Sequence, residues 1–457
     1  MERSRWRFPV LALVLIWFAI PFGPVRAQSA VSFEPTQIQS RFPNGIGFEV
    51  HLSSPGVEVE SAKFVYEISA FSGSTANQKS VQAKADGELI RLEYRWDEGY
   101  PPGVQLTFHW EVTLADGSTA SSTPESYAYT DTNYEWTAFD QAQFSLYCHD
   151  RAVQFCQDIA YVTSKAILQE TDFYAIAPQG AFRVWVYNSL DEVKEWNGDT
   201  YDFIGGFAYP DEGVIVAIVA PENTQENRLW VNSVIPHELS HLILNWKTSN
   251  GLVEVPIWLN EGSAVYNEMI DKHDYNGLFK KMIKYDEVVP ISQLDQDIQG
   301  DDGETSEQAY VESYRIVAYM LDVFGRDGYM RLLDAYKHSL SGDDAFYTAF
   351  HQTEAEFEAG WRSWVTDPDQ AKAGVQLTQA AFALTPGSTP TRVRTATPTR
   401  TSSPTREPSL SPTPSASFTP TLQITSTSQP TATPAPAAAS GMKPRQVWAK
   451  TVWIVLG

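Results

Sequence analysis

His237-Glu238-Leu239-Ser240-His241, with Asn260-Glu261-Gly262 following, is the stretch on which the reading of this 457-residue chain turns. On a helix, positions i and i+4 share a face, so His237 and His241 can offer both imidazoles to one ion. Zinc accepts neutral imidazole nitrogen at about 2.0–2.1 Å, and a site with an open position for water takes three protein ligands. Glu238, next in the chain, can hold such a water and take its proton. Leu239, Leu242 and Ile243 anchor the helix in a core, within an apolar run from Val231 to Trp246. Proline is tolerated in a first helical turn, so Pro236 predicts a helix that starts near Ser233, with Ser233 as its N-cap.

The third ligand decides the class of site. A second helix is expected from Trp258 to about Asp271, with Glu261 near its start. A carboxylate there completes a His2Glu set. An acid in a first helical turn is also favoured by the helix dipole. It is the spacing after the two histidines that makes Glu261 a ligand. A metzincin needs a third histidine shortly after the motif, and none follows His241 until His273. Glu268 reads as a surface acid, with a contact to a ligand histidine as the other reading.

These residues resemble the gluzincin metallopeptidases. Over roughly Tyr134 to Asp367 the chain is similar to the broad group of bacterial proteins with a peptidase MA-like domain. The resemblance implies an α+β zincin-like fold with an M1/thermolysin-like core, a Zn2+ cofactor and peptide or protein substrates. His237, His241 and Glu261 would then be metal ligands, with Glu238 as the catalytic base. The segment from Ala309-Tyr310 to Gly325 resembles the tyrosine-bearing helix of M1-type aminopeptidases. Where that family reads Tyr-Glu-Lys-Gly, this chain has Tyr310-Val311-Glu312-Ser313. By resemblance, Tyr310 is a second catalytic residue, hydrogen-bonding the oxyanion of the transition state. The alternative makes Tyr310 and Tyr314, four apart on one helix, core aromatics, and for Tyr314 that alternative is preferred. The Gly-x-Met-Glu-Asn element of M1 enzymes corresponds to Gly205-Gly206-Phe207-Ala208-Tyr209, which carries no acid. An endopeptidase is therefore expected rather than an aminopeptidase. A strand there could pair with an extended peptide.

Outward from this centre, the chain is expected to be multidomain. Residues 28–135 alternate in the strand manner, as in Gly45 to Leu52 and Leu89 to Trp96, with turns such as Asp86-Gly87 and Asp116-Gly117. They predict an all-β sandwich of immunoglobulin or fibronectin type. Residues 136–375 form the expected peptidase domain. In it, Phe182 to Tyr187 reads as a strand, Gly205 to Val219 as a hairpin, and the stretch from Arg228 to Thr366 as mostly helical. Asp295, Asp297, Asp301, Asp302 and Glu304 read as a solvated acidic loop, since their spacing is not that of an EF-hand.

The ends point outside the cytoplasm. Arg3, Arg5 and Arg7, the apolar Phe8 to Phe22 and the exit at Val25-Arg26-Ala27 read as a signal peptide over residues 1–27. Residues 376–440, rich in Thr, Ser and Pro, cannot bury enough apolar surface to fold and read as a disordered stalk. Residues 441–457 are basic, then apolar, and read either as part of a cell-envelope anchor or as a frayed tail. An extracellular or cell-surface location is expected. Acids outnumber bases 56 to 33, a balance that argues against nucleic acid as a partner. Two cysteines, Cys148 and Cys156, exclude a disulfide framework, and whether they pair is left open. The rival to a peptidase is a cell-surface adhesin with a non-catalytic metallopeptidase-like domain. A hydrolase of non-peptide substrates is a further alternative.

Overall fold

The computed structural model describes residues 31–68, 76–86, 88–177, 179–198, 204–367 and 369, with the short strands Gln423–Thr425 and Lys450–Val452. Ten strands come first: β1 (Ser32–Phe33), β2 (Gln37–Ser40), β3 (Ile46–Ser53), β4 (Val59–Ile68), β5 (Ala76–Val81), β6 (Ala83–Asp86), β7 (Leu89–Trp96), β8 (Val104–Leu114), β9 (Thr119–Ser121) and β10 (Glu125–Tyr129). In β3 and β8 every second residue is buried, the mark of strands with one face on a core. One antiparallel sheet runs β1–β3–β7–β6, with β2 also on β3; the other runs β10–β8–β4–β5, with β9 also on β8. Their inner faces share one core, where Phe48 of the first sheet meets Phe64 and Phe108 of the second at ring distances of 4.8 and 4.7 Å. This is a β-sandwich.

The rest of the chain is a mixed sheet under a helical body. Its first part holds β11 (Thr137–Asp140), β12 (Phe144–Cys148), α1 (Val153–Phe173), β13 (Phe182–Tyr187), α2 (Leu190–Asn197), β14 (Ile204–Tyr209) and β15 (Val214–Ile218). Then come α3 (Gln225–Thr248), α4 (Ile257–Asn267), α5 (His273–Tyr285), α6 (Ile291–Ile298), α7 (Gly303–Val323), α8 (Gly325–Lys337), α9 (Gly342–Phe350) and α10 (Glu354–Thr366). The sheet order is β11–β12–β13–β15–β14. β12, β13 and β15 are parallel, and β14 is antiparallel to β15. β13 is buried along nearly its whole length because both of its faces are covered. Val184 and Val186 face the helices, while Trp185 and Tyr187 join an aromatic cluster with Phe207 on the other side. Two strands from further along the chain, β16 (Gln423–Thr425) and β17 (Lys450–Val452), lie antiparallel to β11 and β14.

Several expectations change. The helix carrying both histidines starts at Gln225 rather than near Ser233. Thr224 caps it, its hydroxyl accepting from the Asn227 amide at 3.1 Å, and Ser233 is buried within it. Pro236 therefore lies inside a helix. It deprives the Asn232 carbonyl of its intrahelical donor, and that carbonyl accepts from the Met269 amide at 2.8 Å instead. The second helix ends at Asn267, short of Asp271. The acidic run is only partly solvated: Asp295 accepts from the Trp258 amide at 2.8 Å in the first turn of α4, and Asp302 caps α7. Cys148 ends β12 and Cys156 lies in α1, both buried as free thiols. The expected signal peptide lies outside the described residues. So do the expected stalk and tail, apart from the strands β16 and β17. Among the described residues no helix is long and apolar enough to cross a membrane.

Candidate metal centre

α3 carries His237 and His241 one turn apart, and α4 crosses it so that Glu261 faces the pair. One donor atom from each residue falls within 4.8 Å of the others. His237 Nε2 lies 3.2 Å and His241 Nε2 3.5 Å from Glu261 Oε2. Ligand atoms about 2.05 Å from a tetrahedral zinc stand roughly 3.3 Å apart, so the three residues fit that ion. The other ring nitrogens are committed elsewhere. His237 Nδ1 lies 3.1 Å from Glu268 Oε1, and His241 Nδ1 lies 2.8 Å from Asn260 Oδ1. With oxygen acceptors at Nδ1, each ring keeps its proton there and turns its Nε2 lone pair toward Glu261. His241 Nε2 is buried and has no hydrogen-bond partner among the described residues, a donor atom shaped for a cation.

The two rings differ in their electrostatics, and only His241 is held neutral without an ion. Burial disfavours the charged form of both rings. For His237 the hydrogen bonds to Glu261 and Glu268 outweigh burial and raise its pKa to about 9. For His241 burial prevails over the pull of Glu261, with His237 adding to it, and its pKa falls to about 4. Glu268 is itself oriented by Lys272, whose Nζ lies 2.7 Å from Oε2. Glu268 is thus a buried partner of His237, not the surface acid expected. Its distance from the motif along the chain hid this role.

Glu238 is fully buried beside β14. A Cβ added to Gly206 of β14 would lie 2.8 Å from Glu238 Oε1 and 2.8 Å from the Val216 carbonyl, so only glycine lets strand and carboxylate approach this closely. Gly262 does the same for the helices: its missing Cβ would lie 2.4 Å from the Ser313 carbonyl of α7. That close seat brings Tyr310 to the centre, with its ring 6.3 Å from that of His237. Tyr314 points to Tyr266 and Tyr275, as expected of a packing residue. The contacts of Asn260, Gly206 and Asp295 with His241, Glu238 and Trp258 are not legible in the sequence. Asn260 stands within the motif itself, and its amide was the signal available.

Fold and side chains together give a helix-borne His2Glu cluster that could hold a metal ion, beside a mixed sheet. Residues 162–367, just under half of the chain, match the family model of the Peptidase MA superfamily, so this segment is similar to the peptidase MA-like domains. The match contains His237, His241 and Glu261, together with Glu238 and Tyr310. Among solved structures, an aminopeptidase N family protein from Idiomarina loihiensis is similar at 10% identity and a TM-score of 0.33, covering 70% of this chain and 73% of its own. A two-domain M1 zinc metallopeptidase bound to L-arginine is similar at 10% identity and 0.33, covering 70% and 89%. An M1 zinc metallopeptidase from Deinococcus radiodurans scores 0.32 at 13% identity over the same shares. Scores at this level do not establish a shared fold, so the family match carries the assignment. No curated protein matches.

Proposed function

We propose that this protein is an exported zinc-dependent peptidase of gluzincin type that cuts within peptide chains. The observation that carries the reading is the convergence of His237, His241 and Glu261 on one point, with Glu238 beside them on the same helix. Zinc held by those three side chains supplies Lewis acidity toward a scissile carbonyl. The Glu238 carboxylate takes a proton from the attacking water and returns it to the leaving amine nitrogen. The Tyr310 hydroxyl donates to the oxygen on which negative charge develops. The side of β14 away from β15 pairs antiparallel with the extended segment Lys450–Val452, which supports reading it as a side that accepts an extended backbone. Its Gly205–Tyr209 stretch carries no acid to hold a substrate's terminal amine, which favours cleavage within chains.

The test is Glu238→Gln in the full chain, assayed on casein with and without a chelator. The expected result is retained zinc with hydrolysis reduced by about 10²–10⁴-fold. Wild-type turnover in that variant would remove Glu238 from the mechanism. A wild-type chain that binds zinc yet shows no chelator-sensitive cleavage points to the adhesin reading. Cleavage confined to ester or glycan substrates points to a different hydrolase.

A further inference from the structure

Three consecutive residues where α4 ends grip α3 by three different groups. The Asn267 side-chain amide donates to Ser240 Oγ at 3.3 Å and to the Tyr174 hydroxyl at 3.2 Å, while Tyr174 and Ser240 bond each other at 2.5 Å. The Glu268 carboxylate meets His237 Nδ1. The Met269 amide donates to the Asn232 carbonyl, the acceptor that Pro236 leaves open. Asn232, His237 and Ser240 span about 12 Å of helix, so the contacts fix both the slide and the roll of α4 against α3. Asn267, Ser240 and Tyr174 are all buried among apolar side chains. There, polar groups must find partners, and only one docking of the two helices supplies them all.

Proline is the costliest residue in a helix interior. A chain selected only for helix stability gains by replacing it. Here it stands immediately before a metal ligand, and the carbonyl it frees is used by the residue after Glu268. We propose that Asn267 and Met269 are positioning residues for the metal centre, with Pro236 supplying the acceptor for Met269. They set the register that places Glu261 opposite His237 and His241. This rests on the metal-centre reading above and goes beyond it: the site's geometry depends on side chains and amides that touch neither ion nor substrate.

Zinc affinity, measured by chelator competition on the full chain, is the readout, with melting of the metal-free protein measured alongside. Pro236→Ala restores an N–H that draws the Asn232 carbonyl back into the helix ladder. It is expected to keep or raise the melting temperature while weakening zinc binding about 10-fold. Asn267→Leu keeps side-chain size, leaves Ser240 and Tyr174 paired, and is expected to weaken zinc binding by a similar factor. Thr163→Val, which removes a buried hydroxyl bonded to the Ile159 carbonyl in the neighbouring helix, is the control and should leave affinity unchanged. Should Pro236→Ala fail to fold, Asn267→Leu and Ser240→Ala carry the test. Folded variants with wild-type zinc affinity overturn this proposal alone, as does an equal loss in Thr163→Val. A wild-type chain that takes up no zinc overturns the metal centre with it.

Discussion

The sandwich and the helical domain each bury a large apolar core, but they differ in what else they bury. Every polar or charged side chain recorded as buried among the described residues lies at Asp131 or beyond. The sandwich core is aliphatic and aromatic, led by Trp96, Trp110, Phe48 and Phe64. The helical domain buries Glu170, His237, Glu238, His241, Glu261, Glu268 and Glu312. Buried charge is costly unless it is partnered or neutralised, so a domain that keeps this much of it gives up stability for something else. The charges converge at α3 and α4, on the proposed metal centre.

The largest expected break in this contrast is His241→Ala, which should reduce bound zinc, read by mass spectrometry, to background while the sandwich stays folded. Zinc retained at wild-type level would detach His241 from the centre. Next is Phe64→Ala in the sandwich, which should cost about 3–5 kcal/mol in that domain and leave zinc content unchanged. A joint loss of both would show that the metal centre depends on the sandwich core. Tyr310→Phe should come third, lowering kcat roughly 10- to 100-fold with little change in KM; unaltered kcat returns Tyr310 to a packing role.

The smallest effect concerns a buried acid outside the centre. Burial raises the Glu312 pKa to about 8, against the opposing hydrogen bond from the Val289 amide and the pull of Arg362. A carboxyl with a raised folded-state pKa contributes its stability below the unfolded value, near 4.5, and loses it as pH climbs toward 8. Denaturant titrations at pH 5 and pH 8 should show Glu312→Gln gaining on the wild type at the higher pH, on the order of 2 kcal/mol. Parallel curves at both pH values would mean that Glu312 ionises freely in the fold.

What could be read from the chain was what neighbours in the chain decide. The spacing of His237 and His241 follows from the helix repeat, the alternation in β3 and β8 from the strand repeat, and the hairpin of β14 and β15 from Pro210-Asp211-Glu212-Gly213. The failures share one cause. Pro236 was read by a local rule, which places proline in a first turn, yet a distant amide at Met269 relieves its cost. Glu268 was read as surface by residue type, yet His237 and Lys272 hold it inside. Asp295, read as part of a solvated loop, reaches the start of α4 across 37 positions of sequence. Long-range partners override composition at these places, and a single sequence does not pair them.

The bare Cα of Gly262 has a mechanical consequence. With the Ser313 carbonyl pressed against it, α4 and α7 leave no gap in which to slide, so they behave as one lever. Glu261, next to Gly262, and Tyr310, one turn before Ser313, are thereby held at a set spacing by backbone contact.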